Sequence, residues 1–294
     1  MEMKKTVSPG KLFGLGAGLL LTMAAGLASH AGTLVQFRTT IGDFDVELFD
    51  ADKPVTVQNF VRYIQANSYK DSIMHRVVTN FIIQGGDIYV ANRNTSSNVL
   101  ARIPTFPPIT NEFKVGAFHS NTYGTIAMAK TSDPNSATSQ FFFNLTNNAP
   151  SLDNTNNSGG FTVFGRVIAG TNVLNQFKIG PTNTVVKKFN ASGVLPELAE
   201  LPVLYAANPA SVQYSDLIYV DISLLKVQVT LGTNGARDIS WNSVSDRLNA
   251  VEFTTDFPPT WQTLISTNGN GGTIKITDAS ADSPSRFYRV RVSY

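Results

Sequence analysis

Three short blocks hold most of the residues in this chain that could do chemistry. The first runs from Ser68 to Asp87 and contains His75-Arg76-Val77-Val78, Phe81 and Gln84-Gly85-Gly86-Asp87. The second joins Gly124-Thr125-Ile126-Ala127-Met128-Ala129-Lys130 to Ser139-Gln140-Phe141-Phe142-Phe143, and the third joins Leu152-Asp153 to Val163-Phe164-Gly165-Arg166-Val167. Together they offer two arginines, Arg76 and Arg166, two glutamines and many apolar side chains. The chain has no cysteine, which removes disulfides, thiolate metal sites and cysteine nucleophiles. Its three histidines, His30, His75 and His119, share no His-x-His or HExxH spacing, so no metal site is expected. Taken singly, each residue has a plainer reading. Arg76 could be a solvated surface arginine, and Phe81, Met128 and Phe142 could be core packing in strands. Gln84 and Gln140 could be buried amides bonded to backbone groups.

In order and spacing, the three blocks resemble the cyclophilin family. Its core reads Phe-His-Arg-Val-Ile, two spacers, then Phe-Met-x-Gln-Gly-Gly-Asp; its later segments read Gly-x-Leu/Ile-x-Met-Ala, Ser-Gln-Phe-Phe, Leu-Asp and Val-Phe-Gly-Lys-Val. The resemblance spans roughly residues 33–225. It implies a peptidyl-prolyl cis-trans isomerase, acting on proline-containing polypeptide segments without a cofactor. Amide resonance holds the X-Pro bond planar behind a barrier of ~18–20 kcal/mol, and uncatalysed exchange takes on the order of tens to hundreds of seconds. A catalyst must favour the twisted amide, whose nitrogen regains its lone pair and becomes a better hydrogen-bond acceptor. A fixed guanidinium beside that nitrogen does so selectively.

By resemblance, Arg76 is that group and Gln84 holds the substrate carbonyl, with Gln140 in support beside Arg76. Phe81, Met128, Phe142 and Leu152 would line the pocket for the proline ring, with Phe161 at its rim. Ala129 and the main chain of Lys130 would bind the residues before the proline. His75 is read as structural, because the reaction transfers no proton. The chain departs from the family at that rim. Ser151 stands where many members carry Trp and others Phe, Phe161 stands where many carry His, and Asn154–Gly160 lengthens the loop between them. The missing indole implies weak cyclosporin binding.

The elements expected to position these residues are short. Leu34–Thr39 and Phe44–Leu48 alternate and read as a hairpin. Pro54 followed by Val57, Phe60, Val61 and Ile64 predicts a helix with one apolar face. Strands are predicted at His75–Val78, Phe81–Gln84, Thr125–Lys130, Gln140–Leu145 and Thr162–Ile168, with a second short helix at Thr171–Phe177. Lys178 to Ser215 reads as a long surface excursion before a last strand, Leu217–Leu225. Short strands without regular helix alternation predict a mainly β fold, a closed antiparallel barrel with two short helices. After about Leu231 the texture changes, and about five alternating strands predict a small β-sandwich-like domain. The domain boundaries read from the sequence are 1–31, 32–227 and 228–294.

Residues 1–31 read as a signal peptide. Lys4, Lys5 and Lys11 form a basic region, Leu12 to Ala28 is apolar, and Ser29-His30-Ala31 offers small residues at a cleavage site. The mature protein is thus expected in the periplasm or outside the cell, with no membrane span after signal removal. With 23 basic against 21 acidic residues, no nucleic-acid partner is expected. The C-terminal domain is expected to bind a surface or a protein partner. Beside the enzyme reading stands a non-catalytic proline-peptide-binding or chaperone module anchored by that domain.

Overall fold

Alternation builds the first hairpin. β1 (Leu34–Thr39) and β2 (Gly42–Leu48) pair antiparallel, and Val35, Phe37, Phe44, Val46 and Leu48 are buried on one side. Side chains two apart share a face of a strand, so one hairpin supplies a continuous apolar wall. α1 (Pro54–Gln65) follows, with proline in its first turn and Phe60, Tyr63 and Ile64 buried in the same cluster. Its leading amides are capped from a distance: the Glu112 carboxylate accepts from Val55 N at 3.1 Å and Thr56 N at 2.7 Å. That satisfies donors that have no partner within the helix and puts negative charge at its positive end.

The chain continues through β3 (Ser72–Val78), β4 (Ile82–Ala91), β5 (Val99–Arg102), β6 (Thr125–Met128) and β7 (Phe141–Asn144). Then come α2 (Ala149–Leu152), β8 (Val163–Ala169), α3 (Thr171–Asn175), β9 (Val186–Phe189), β10 (Leu201–Leu204) and β11 (Tyr219–Leu224). The strands pair in the order β3-β11-β1-β2-β8-β6-β7-β4, and β3 pairs with β4 to close the ring. The result is a closed antiparallel barrel, with β5 added outside on β4. Closure leaves no open sheet edge in the ring. Aromatic rings fill the interior: Phe37 lies 5.0 Å from Phe44, 5.5 Å from Phe141 and 5.0 Å from Phe143 between centroids.

The computed structural model describes residues 33–293 except 181, 209, 226, 244–247, 257, 258, 271 and 281–285. The predicted signal peptide lies outside the described residues. The segment expected as a surface excursion is more than that. β9 and β10 form a hairpin, and Leu198, Leu201, Val203 and Ala207 are buried against Ile73, Ile88, Val90 and Tyr219 of the barrel. The one-turn helix α2 is also additional to the two helices expected.

Six further strands follow: β12 (Val227–Leu231), β13 (Arg237–Asn242), β14 (Leu248–Thr254), β15 (Gln262–Asn268), β16 (Thr273–Asp278) and β17 (Phe287–Ser293). They make two three-stranded sheets, β12-β13-β16 and β15-β14-β17. Ile239, Trp241, Val251 and Val290 are buried together as their shared core. A cleft of about 450 Å³ separates β17 from the first hairpin, lined by Gln36, Asp43 and Asp45 on one wall and Tyr288, Arg289 and Arg291 on the other. Burial there raises the Asp43 carboxyl from 3.8 to about 6, against the opposing pull of Arg38.

Candidate active site

The first block folds into the β3–β4 hairpin, and its tight turn sets the register. Asn80 takes the left-handed conformation at φ 55°, which asparagine tolerates better than most residues, and Phe81 N donates to Val78 O at 3.0 Å. Arg76 then lies directly opposite Gln84. Gln84 lies opposite Phe142 of β7, Phe142 opposite Ala127 of β6, and Ala127 opposite Val163 of β8. One transverse row across five strands therefore reads Arg76, Gln84, Phe142, Ala127, Val163. Directly opposite residues share a face with their β-carbons about 4.5–5.5 Å apart, so the row brings a cationic end against an apolar end.

The polar end is wired. Arg76 Nη1 donates to Gln84 Oε1 at 3.2 Å, and Gln84 Nε2 donates to Gln140 Oε1 at 2.8 Å. Close approach of β4 to its neighbours allows this. A β-carbon on Gly85 would come within 2.9 Å of Met74 Sδ and of the Phe141 ring. Gly86 has φ +86°, and a β-carbon there would stand 2.5 Å from the Ser139 carbonyl oxygen. Glycine meets both demands.

The apolar end gathers Ile82, Ala127, Phe142, Leu152 and Val163, with Phe81, Ala129 and Phe161 packed on them half-buried. Phe161 meets Phe142 edge to face at 5.8 Å between centroids. Of the expected lining residues, Phe81, Phe142, Leu152, Ala129 and Phe161 are thus brought together. Met128 is not. It is 2% exposed and belongs to the barrel interior with Ile126, because period two on β6 turns Ala127 outward instead.

Lys130 stands at the rim. Its ammonium lies 4.2 Å from the Phe161 ring centroid and donates to the Ser158 carbonyl of the lengthened loop. Burial lowers it from 10.5 to about 8, with Asp133 acting the other way. Ala129 N donates to Gln140 O at 3.0 Å, tying the rim to β7.

Several site residues carry no motif signal. A buried asparagine relay supports the apolar end from behind. Asn148 donates to Asn144 Oδ1 at 2.7 Å and to the Phe81 carbonyl at 2.8 Å, and Asn144 donates to Asn121 Oδ1 at 3.1 Å. Asn121 in turn holds the Phe161 carbonyl at 2.9 Å and Asp153 at 2.8 Å. The loops carrying Phe81, Leu152 and Phe161 are thereby tied to one another. Glu200 is the other: its carboxylate accepts from Arg76 Nε at 3.2 Å. His75, beside the arginine, is 2% exposed, and burial lowers it from 6.5 to about 3, so it is neutral here at ordinary pH.

The family model for cyclophilin type peptidyl-prolyl cis-trans isomerases matches residues 34–193. A peptidyl-prolyl cis-trans isomerase of Acinetobacter baylyi is 39% identical over 167 residues, covering 57% of this chain and 81% of that protein. Peptidyl-prolyl cis-trans isomerase A of Dickeya dadantii is 35% identical over 175 residues, covering 58% of this chain and 86% of that protein. A solved cyclophilin-type isomerase of Cryptosporidium parvum aligns at 23% identity and a TM-score of 0.41, covering 66% of this chain and 98% of that one. The matched stretch contains the Arg76–Gln84 hairpin, β6, β7 and the loop of Leu152 and Phe161. The chain belongs to the cyclophilin-type peptidyl-prolyl cis-trans isomerases.

Proposed function

We propose that the chain accelerates rotation about X-Pro bonds in exported polypeptides, with Arg76 as its electrostatic catalyst. The observation that carries this reading is the transverse row, which sets a hydrogen-bonded guanidinium beside an apolar floor on one face of the barrel. The proline ring packs on Phe81, Phe142 and Leu152 beneath Phe161, and its nitrogen faces Arg76. Rotation pyramidalises that nitrogen and restores its lone pair, to which the guanidinium donates. The planar states lack this acceptor, so the contact strengthens only on the way to the transition state. Gln84 holds the neighbouring carbonyl while Gln140 fixes the Gln84 amide. Ala129 and the Lys130 main chain bind the preceding residues in extended form. Met128 supports β6 from inside the barrel.

Export rests on the basic and apolar pattern of residues 1–31. Among the described residues, no helix is long and apolar enough to cross a membrane. The strands from residue 228 onward act as a separate module that binds a surface or protein partner.

The test is a protease-free isomerisation assay on a short X-Pro peptide, comparing the protein with Arg76→Ala. Loss of one preorganised donor should raise the barrier by roughly 2.7–4 kcal/mol, about 10²–10³ in rate. A folded but inactive parent would leave a proline-segment binder in place of an enzyme. An active Arg76→Ala variant would move the catalytic role elsewhere.

A further inference from the structure

The segment between α3 and β11 has a short 3₁₀ stretch, Pro196–Glu200, with carboxylates at Glu197 and Glu200. Glu197 accepts from Arg102 Nη2, and Arg102 Nη1 reaches Asp87 of β4 at 3.1 Å. Leu198 is 1% exposed, in the apolar cluster with Ile73, Ile88 and Val90. An ion pair and a buried leucine thus clamp this stretch to the outside of the barrel. Glu200 is what the clamp presents. Its Oε2 accepts from Arg76 Nε at 3.2 Å, and its Oε1 accepts from Lys188 Nζ of β9 at 3.4 Å.

Arg76 Nη1 meanwhile donates to Gln84. Two of the three guanidinium nitrogens are held from opposite elements, and among the described residues none accepts a hydrogen bond from Nη2. We infer that Glu200 is a positioning residue for Arg76: with Gln84 it fixes the plane of the guanidinium and leaves Nη2 for the proline nitrogen. The inference rests on Arg76 being the electrostatic catalyst. A pair exposed at 41% and 29% adds little to stability, so its effect lies in geometry. An arginine stem has many rotamers, and a donor already in place needs no reorganisation as the amide twists. Lys188 on the other carboxylate oxygen offsets the charge that Glu200 would otherwise subtract from the guanidinium. The segment after α3 thereby becomes part of the site.

The test is a double-mutant cycle on the full chain, with kcat and KM for an X-Pro peptide and a thermal melt for each variant. Glu200→Ala should lower kcat about ten-fold, with KM within about two-fold, since an ångström of misplacement costs up to about a hundred-fold. Glu200→Gln, which keeps an acceptor oxygen, should recover most of the loss. Should Glu200→Ala fail to fold, Glu200→Lys keeps a long polar stem, repels Arg76 and should lose at least as much. In an Arg76→Ala background, Glu200→Ala should add nothing. An equal loss in both backgrounds overturns the inference, because Glu200 would then act through packing. An Arg76→Ala loss with no effect of Glu200 variants overturns it while sparing the catalytic arginine. No loss in Arg76→Ala overturns both, by a readout of its own.

Discussion

Gln84 Nε2 lies 2.8 Å from Gln140 Oε1, and this contact decides which way the Gln84 amide faces. With its nitrogen committed to Gln140, its oxygen is turned to Arg76. Gln140→Ala should free the amide to flip and loosen the guanidinium without removing it. A loss of about three- to ten-fold in kcat/KM is expected, smaller than that of Arg76→Ala, because the donor survives. Exchange kinetics on one peptide with both variants check the ranking.

The rim makes a second prediction. Ser151 is an exposed residue of α2, one position before the buried Leu152. Ser151→Trp adds a large amphipathic ring beside the apolar cluster, and a ring of that size buries enough area to strengthen binding. Cyclosporin should bind this variant at least about ten-fold more tightly than the parent, as read by titration calorimetry. Equal affinities, or tight binding by the parent, would overturn the expectation that Ser151 weakens binding.

The resemblance carried by the motif blocks named Arg76, Gln84, Phe142 and Leu152, and alternation in short strands explains why the first three share one row. The run Phe141-Phe142-Phe143 shows the rule at work: the outer two are wholly inside the barrel and the middle one joins the site. The same parity applied to Ile126–Ala129 would have turned Met128 inward and Ala127 outward. Nothing comparable pointed to Glu200 or the asparagine relay. Their partners lie far away in sequence, as with the 124 positions between Arg76 and Glu200, and isolated polar residues in loops have no period to read. The hairpin of β9 and β10 was equally opaque, since four residues are too few to show a period and β10 is buried along nearly its whole length rather than on one face.

Asp43 predicts a stability profile. Its folded carboxyl holds a proton up to about pH 6, whereas the unfolded one releases it near 3.8. The folded state thus binds the extra proton between those values, and stability falls as pH rises through that window. Asp43→Asn should be more stable than the parent at pH 7 by about 1–2 kcal/mol after allowance for solvent screening. The difference should vanish near pH 4, and urea melts at the two pH values check it.

His75 works in the opposite direction. The unfolded imidazole takes a proton below 6.5, but the folded one resists until about 3, mainly through burial and also through Arg76. Its contribution is therefore present above 6.5 and lost as the solution is acidified toward 3. By pH 4.5 this amounts to about 2–3 kcal/mol. His75→Phe should flatten that acid limb, and the His75 imidazole carbon resonances of the parent should show no titration between pH 5 and 8.

The pairing of Val35 with Leu224 has a temporal meaning. Among the described residues β1 is the first strand to be synthesised, yet one of its two neighbours, β11, comes last in the ring. Until β11 arrives, β1 and β3 each keep an unpaired edge, and the loop to be closed spans nearly the whole barrel sequence. Closure is thus a late, non-local step of the kind that slows folding. A chain stopped before Tyr219 would already contain Arg76, Gln84 and Phe142 but would lack the strand that locks β3 in place. Such a nascent form would display its sticky edges to every unfolded neighbour, and the face carrying Arg76 would mature only when the last stave of the ring is seated.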